Sequence, residues 1–153
     1  MANSYSQIHL QLIFAVRFRA GVIHPSWEKE LYRYISGIIE GNSHKLLAIN
    51  GVPDHLHILI GMRPSQSLSE LMQDIKTSSS KWINKKGFVP GRFEWQSGYA
   101  AFSYDRTAIR NVVRYIENQK EHHGVKTFKD EYIGFLEEHN IDYDERYIFK
   151  DLE

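Results

Sequence analysis

The fold is decided by Lys45-Leu46-Leu47-Ala48-Ile49-Asn50-Gly51-Val52-Pro53-Asp54-His55-Leu56-His57-Ile58-Leu59-Ile60-Gly61-Met62. Two short runs rich in Leu, Ile and Val flank a Pro-Asp turn signal, which predicts two strands, 45–52 and 55–62, joined as a hairpin. Upstream, Trp27, Leu31, Tyr34, Ile35, Ile38 and Ile39 recur at helical spacing. They predict an amphipathic helix over 25–40, with Pro25 in its first turn and Gly41-Asn42 as its stop. Further upstream, residues 6–18 alternate. Ile8, Leu10, Leu12, Phe14, Val16 and Phe18 fall on one face, and Gln7, His9, Gln11 and Arg17 on the other. A period of two predicts a long strand that Gly21 ends.

Downstream of the hairpin, Ser67-Leu68-Ser69-Glu70 is a capping-box pattern. It opens a helix over about 68–86 carried by Leu68, Leu71, Met72, Ile75, Trp82 and Ile83. Residues 93–104 read as extended, with a bend at Gly98. Asp105 can cap the next helix, whose stripe is Ala108, Ile109, Val112, Val113 and Ile116 and whose stop is Gly124. Thr127 caps a last helix over about 128–140. The element order β-α-β-β-α-β-α-α predicts an α+β protein. Its first six elements fit a ferredoxin-like split βαβ fold, an antiparallel sheet with helices on one face, followed by C-terminal helices.

The chain of 153 residues fits one domain, 1–153, with a core over about 6–124 and an acidic C-terminal helix and tail over 125–153. Without cysteine, a disulfide framework, a thiolate metal site and a Cys nucleophile are excluded. No stretch approaches the ~18 apolar residues of a membrane span, and the N-terminus has no basic leader. The expectation is a soluble cytoplasmic protein. Formal charge is zero overall. From Phe128 onward nine acidic residues face three basic ones, so the last stretch nets −6 and residues 1–127 net +6. Such asymmetry fits a polyanion partner, and equally an acidic solvated helix.

Two patterns carry chemistry. On a strand, His55 and His57 point to the same face while Leu56, Ile58 and Ile60 point into packing. Paired neutral imidazoles suit a divalent metal, although such pairs also occur in ordinary sheets. On a helix, Tyr115 and Gln119 lie four apart and share a face. The phenol is a possible nucleophile and the amide oxygen a hard metal ligand. The plain alternative is a surface tyrosine beside a solvated amide. His122 and His123 fit a helix C-terminus, where a cation opposes the dipole. Asp54 could orient a histidine or simply make its turn.

With these motifs in view, the chain resembles the single-tyrosine HUH transposase family of the insertion-sequence-200 type. The resemblance rests on Pro53-Asp54-His55-Leu56-His57, on Trp95-Gln96-Ser97-Gly98-Tyr99, and on Arg114-Tyr115-Ile116-Glu117-Asn118-Gln119 followed by His122-His123. Tyr143-Asp144-Glu145-Arg146-Tyr147 adds to it. It implies the split βαβ fold and a metal-dependent transposase that cleaves and rejoins single-stranded DNA at hairpin-marked ends through a 5′-phosphotyrosine. It implies Tyr115 as nucleophile, His55, His57 and Gln119 as metal ligands, Mg²⁺ or Mn²⁺ as cofactor, and a homodimer.

A DNA footprint is expected over 75–93, where Lys76, Lys81, Lys85, Lys86 and Arg92 occur without an acidic residue and are interleaved with Trp82, Phe88 and Phe93. Basic groups neutralise phosphates while aromatics stack bases; a solvated helix with Trp82 in the core is the plain alternative. The competing functional readings are a non-catalytic single-stranded nucleic-acid binder and a domesticated transposase descendant.

Overall fold

The computed structural model describes residues 4–122 and 127–143. Strands β1 (His9–Ala15), β2 (Lys45–Val52), β3 (His55–Gly61) and β4 (Ala100–Tyr104) form one antiparallel sheet in the order β2-β3-β1-β4. The helices are α1 (Glu28–Gly41), α2 (Leu68–Lys86), α3 (Ile109–Glu117), α4 (Gln119–His122) and α5 (Phe128–Glu138). The expected split βαβ order is present. Among the described residues no helix is long and apolar enough to cross a membrane.

The strand period decides which side chains meet which helices. Leu12, Phe14, Leu56, Ile58 and Ile60 join Leu31, Ile35, Ile39, Leu71, Ile75 and Ile83 in the main core, so α1 and α2 cover one face. The other face is also covered. Leu59 packs with Val112 and Ile116 of α3, and Ile13 and Ala15 pack with Phe128 and Leu136 of α5. The C-terminal helices therefore roof the face that the first two helices leave open, and the sheet interior is buried on both sides.

Capping follows the side chains. Ser67 accepts from the Glu70 amide and Thr127 from the Asp130 amide, while Asp105 accepts from the Ala108 amide. Each oxygen satisfies a donor that the first helical turn would leave unpaired. Gly87 takes the left-handed conformation, φ 69°, that ends α2.

Four expectations shift. The alternation over 6–18 is longer than β1, because Phe18 and Arg19 turn left-handed (φ 59° and 51°) and break the pleat. Pro25 lies in the turn before α1, which begins at Glu28. The extended stretch 93–104 is two pieces. Trp95 bridges to Val16 beside β1, Gly98 (φ 87°) bends the chain, and β4 follows. The helix expected to run from Asp105 to Gly124 breaks at Asn118 (φ −96°, ψ 18°), so α3 ends at Glu117 and α4 starts at Gln119. Gly124 lies outside the described residues.

Candidate active site

His55 and His57 stand on the roofed face of β3, and both are fully buried. Their Nδ1 atoms are already committed. His55 Nδ1–H donates to Asp54 Oδ1 at 2.7 Å, and His57 Nδ1–H donates to Gln11 Oε1 at 2.8 Å. Those bonds hold both rings with their Nε2 atoms aimed the same way. Asp54 thus orients a histidine as well as making its turn. Gln11 belongs with the buried groups (1% exposed), not on a solvated strand face. Its amide also donates to the Tyr104 hydroxyl at 3.0 Å.

The Nε2 atoms meet a carboxylate from the acidic stretch, which reads in sequence either as a solvated helix or as one half of a charge asymmetry fitting a polyanion partner. Glu131 of α5 is 4% exposed. Its Oε1 lies 2.9 Å from His57 Nε2 and 3.3 Å from His55 Nε2. Its Oε2 accepts from the Tyr115 hydroxyl and, at 3.2 Å, from Gln119 Nε2. One carboxylate therefore gathers both imidazoles, the phenol and the amide within one chain. A signal for it was present. Glu131 falls on the same helical stripe as Phe128, Phe135 and Leu136, and an acid on an apolar stripe has to be paired inside.

The broken helix still delivers Tyr115 and Gln119 together. Asn50 of β2, directly opposite His57 in the ladder, donates from Nδ2 to the Ile116 and Glu117 carbonyls, each at 3.0 Å. It satisfies acceptors that the end of α3 exposes and ties the Tyr115-bearing turn to the histidine strand.

Electrostatics set the resting state. Burial and the Glu131 carboxylate push the Tyr115 phenol well above its ordinary pKa, against a smaller opposing pull from Gln119. It is a neutral phenol at pH 7. Burial pulls His55 down, but the hydrogen bonds and charges of Asp54 and Glu131 outweigh it, and the net shift is upward from 6.5.

The donor set fits a divalent cation. His55, His57 and Glu131 each offer one ligand atom, and these atoms lie within 4.8 Å of one another. Gln119 Oε1 is buried and, among the described residues, has no hydrogen-bond partner. An orphaned amide oxygen beside two inward-facing imidazole nitrogens and a carboxylate is an arrangement that a cation resolves. Two imidazoles with two oxygens make a mixed nitrogen and oxygen donor set for such a cation.

Residues 4–119 match the family model described as "Transposase IS200 like". The chain belongs to this IS200-like transposase family. A curated relative, the ISDra2 transposase TnpA of Deinococcus radiodurans, is 22% identical over 120 residues, which is 75% of this chain and 86% of that one. Two crystallographic or solved structures share the fold. A candidate transposase from Deinococcus radiodurans R1 has a TM-score of 0.61 at 20% identity, covering 78% of this chain and 95% of that one. The REP-associated tyrosine transposase bound to a REP hairpin has a TM-score of 0.62 at 16% identity, covering 81% of this chain and 73% of that one. The span matching the IS200-like transposase model contains His55, His57, Tyr115 and Gln119 and stops before α5. Glu131 lies beyond it.

The basic stretch does not join this centre. Helix α2 sits on the opposite face of the sheet from the histidines. Lys76 is half-buried and donates to the Gln96 and Gly98 carbonyls at 2.6 and 2.8 Å; burial lowers its pKa. Arg92 pairs with Glu94 at 3.3 Å, while Lys81, Lys85 and Lys86 are exposed. The interleaved aromatics are packing residues. Trp82 stacks on Tyr34, Phe88 on Trp27, and Phe93 is buried against Trp95. They are engaged in the protein and not offered to bases. His123 and residues 144–147 of the motifs quoted above lie outside the described residues, as does the side chain of His122.

Proposed function

We propose that this transposase-family chain cleaves and rejoins single-stranded DNA through Tyr115. The convergence of the Tyr115 hydroxyl, the Gln119 amide and both imidazole Nε2 atoms on the Glu131 carboxylate carries the reading. His55, His57, Gln119 and Glu131 would hold a divalent cation, Mg²⁺ or Mn²⁺. When bound, it supplies Lewis-acid polarisation of a phosphoryl oxygen and stabilises charge developing on the leaving oxygen.

The chain's own groups do the rest. Tyr115 Oη attacks phosphorus; the new bond is Oη–P and the bond lost is P–O3′. The products are a 5′-phosphotyrosine and a free 3′-OH. Tyr115 stays protonated at neutral pH, so its proton needs an acceptor as the bond forms. Glu131 Oε2 already accepts that hydrogen and can pass it toward the departing 3′-oxygen. A phenol is easier to activate than an aliphatic alcohol, because its ordinary pKa is about 10. No water enters, so a 3′-OH attacking the phosphotyrosine reverses the step and rejoins a strand.

DNA with hairpin ends as substrate is consistent with the relative solved on a REP hairpin. A homodimer is what the family resemblance implies, and one chain by itself brings all four groups together. The non-catalytic binder has less support: among the described residues both faces of the sheet are covered, so bases find no open sheet face to stack on. The test is incubation with labelled single-stranded hairpin ends and Mn²⁺, followed by denaturing electrophoresis. An SDS-resistant adduct absent from the Tyr115→Phe protein is expected. An adduct formed equally by that variant would overturn the assignment.

A further inference from the structure

A cavity of about 430 Å³ opens beside Tyr115, between α3 and α5. This lies within the ~300–1,000 Å³ range of small-molecule sites. We infer that it holds one nucleobase of the strand whose phosphate meets Tyr115, and that it favours a base carrying an exocyclic amino group. The inference rests on the tyrosine-cleavage reading and adds to it the part of the substrate that is read.

The walls argue for a base and against a phosphate. Among the described residues, no lysine, arginine or histidine lines the cavity, whereas the carboxylates of Glu131 and Glu138 do. An anion would be repelled there; a neutral heterocycle would not. Phe135 supplies an aromatic wall. It is held in place by Phe102, stacked at 5.3 Å, and by Tyr115, edge-on at 5.6 Å. Flat aromatic surface suits bases of any identity.

Polar groups then discriminate. Tyr104 accepts a hydrogen bond from Gln11, and among the described residues its own O–H has no acceptor. Burial and, more weakly, the charge of Glu138 raise its pKa to about 12 against the opposing Gln11 bond, so it remains a donor. Asn111 is exposed, and its amide makes no hydrogen bond among the described residues. Glu138 forms no ion pair there either. A carboxylate acceptor beside a hydroxyl donor matches the amino-and-ring-acceptor edge of adenine or cytosine better than the edge of thymine. Glu131 belongs to both this cavity and the metal-ligand cluster, and Tyr115 lines the cavity while bonding to Glu131, so a base seated here belongs to a nucleotide next to the attacked phosphate.

Two readouts test it. In the first, the protein captures a single-stranded pool that is randomised along its length, in Mn²⁺, and both the tyrosine-linked and released fragments are sequenced. Thymine should be depleted about tenfold at one position flanking the cleaved phosphate, and Glu138→Gln should shrink that depletion to about twofold or less. Glu138 is exposed, so this substitution spares the fold. Equal use of all four bases at both flanking positions, or unchanged depletion in Glu138→Gln, overturns the inference while leaving the adduct chemistry standing. In the second, the Tyr115→Phe protein is titrated with 2-aminopurine deoxyriboside. Quenching by stacking is expected, with saturation, and with at least a fivefold weaker midpoint in a Phe135→Leu, Glu138→Gln double variant of it. Identical titrations would refute the cavity as a base site. Saturable quenching with no adduct from any DNA would instead keep the cavity and remove the cleavage reading.

Discussion

Gln11 holds the deepest prediction, because it is no ligand of the cation yet decides which nitrogen of His57 carries the proton. Gln11 and His57 are 1% and 0% exposed, so water cannot replace the Oε1 acceptor lost in Gln11→Leu. A buried unpaired N–H costs about 1–3 kcal/mol. The ring escapes that cost by moving its proton to Nε2, where Glu131 Oε1 waits at 2.9 Å. That is the nitrogen needed for a cation. Restoring the useful tautomer then costs the cation about the same 1–3 kcal/mol, a loss of about 5- to 150-fold in affinity, in line with the ~10–100-fold typical of such supporting partners. Calorimetric titration of Mn²⁺ into the two proteins at pH 8 measures it. Gln11→Glu keeps an Nδ1 acceptor and should stay within about threefold of the parent. Asp54→Asn should also be mild, since Asp54 is 28% exposed and water can assist. If Gln11→Leu folds normally and binds Mn²⁺ within twofold of the parent, the tautomer argument is wrong.

Other expectations follow from the same geometry. Because the folded pKa of His55 is raised above 6.5, its stabilising contribution in the cation-free protein is complete below about pH 6.5 and is lost as pH rises through the folded value. Cation binding needs the neutral ring, so the Mn²⁺-induced rise in Tm should move the other way and shrink as pH falls through the folded value; a Mn²⁺ shift that is flat from pH 8 to 6 would contradict this. Gly51→Ala places a Cβ 2.4 Å from the His55 carbonyl oxygen and 2.6 Å from Leu56 Cδ2. Overpacking of about 1–3 kcal/mol should lower Tm by roughly 2–4 °C per kcal/mol, with a loss of Mn²⁺ affinity since the histidine strand must shift. Asn50→Ala removes two bonds to the end of α3 and should cut adduct yield more than it cuts Mn²⁺ affinity; equal losses would mean it does not position Tyr115. Replacing Lys81, Lys85 and Lys86 together by Ala should reduce the salt slope of single-strand binding by about 2. Lys76→Ala should instead destabilise the 96–98 turn, and an unchanged slope in the triple variant takes α2 out of the DNA surface.

Much of this was legible because local rules and the fold agree. Side-chain period alone separates Leu56, Ile58 and Ile60 from His55 and His57, and the three helix caps sit where their oxygens can reach unpaired amides. What escaped depends on long-range contacts. Gln11 looks like a residue on a wet strand face until α5 roofs that face. Glu131 looks like one acid among many in a stretch that nets −6, and only its place among Phe128, Phe135 and Leu136 marks it as an inward group. The interruption at Asn118 has no Pro or Gly to announce it; Asn50, 68 positions earlier, takes up the carbonyls it frees. In the basic stretch two signals part: Lys81, Lys85 and Lys86 stay exposed, in keeping with its composition, while its aromatics have found partners in Trp27, α1 and the 93–95 segment.

The two imidazoles hang from a strand laced on both edges, to β2 and to β1, so they behave as an anvil with no give. Tyr115 and Gln119 sit on either side of the joint at Asn118. Under the proposed cleavage reading, the hammer and the group beside it therefore ride on two short helices whose shared joint is clasped by Asn50 to the anvil itself.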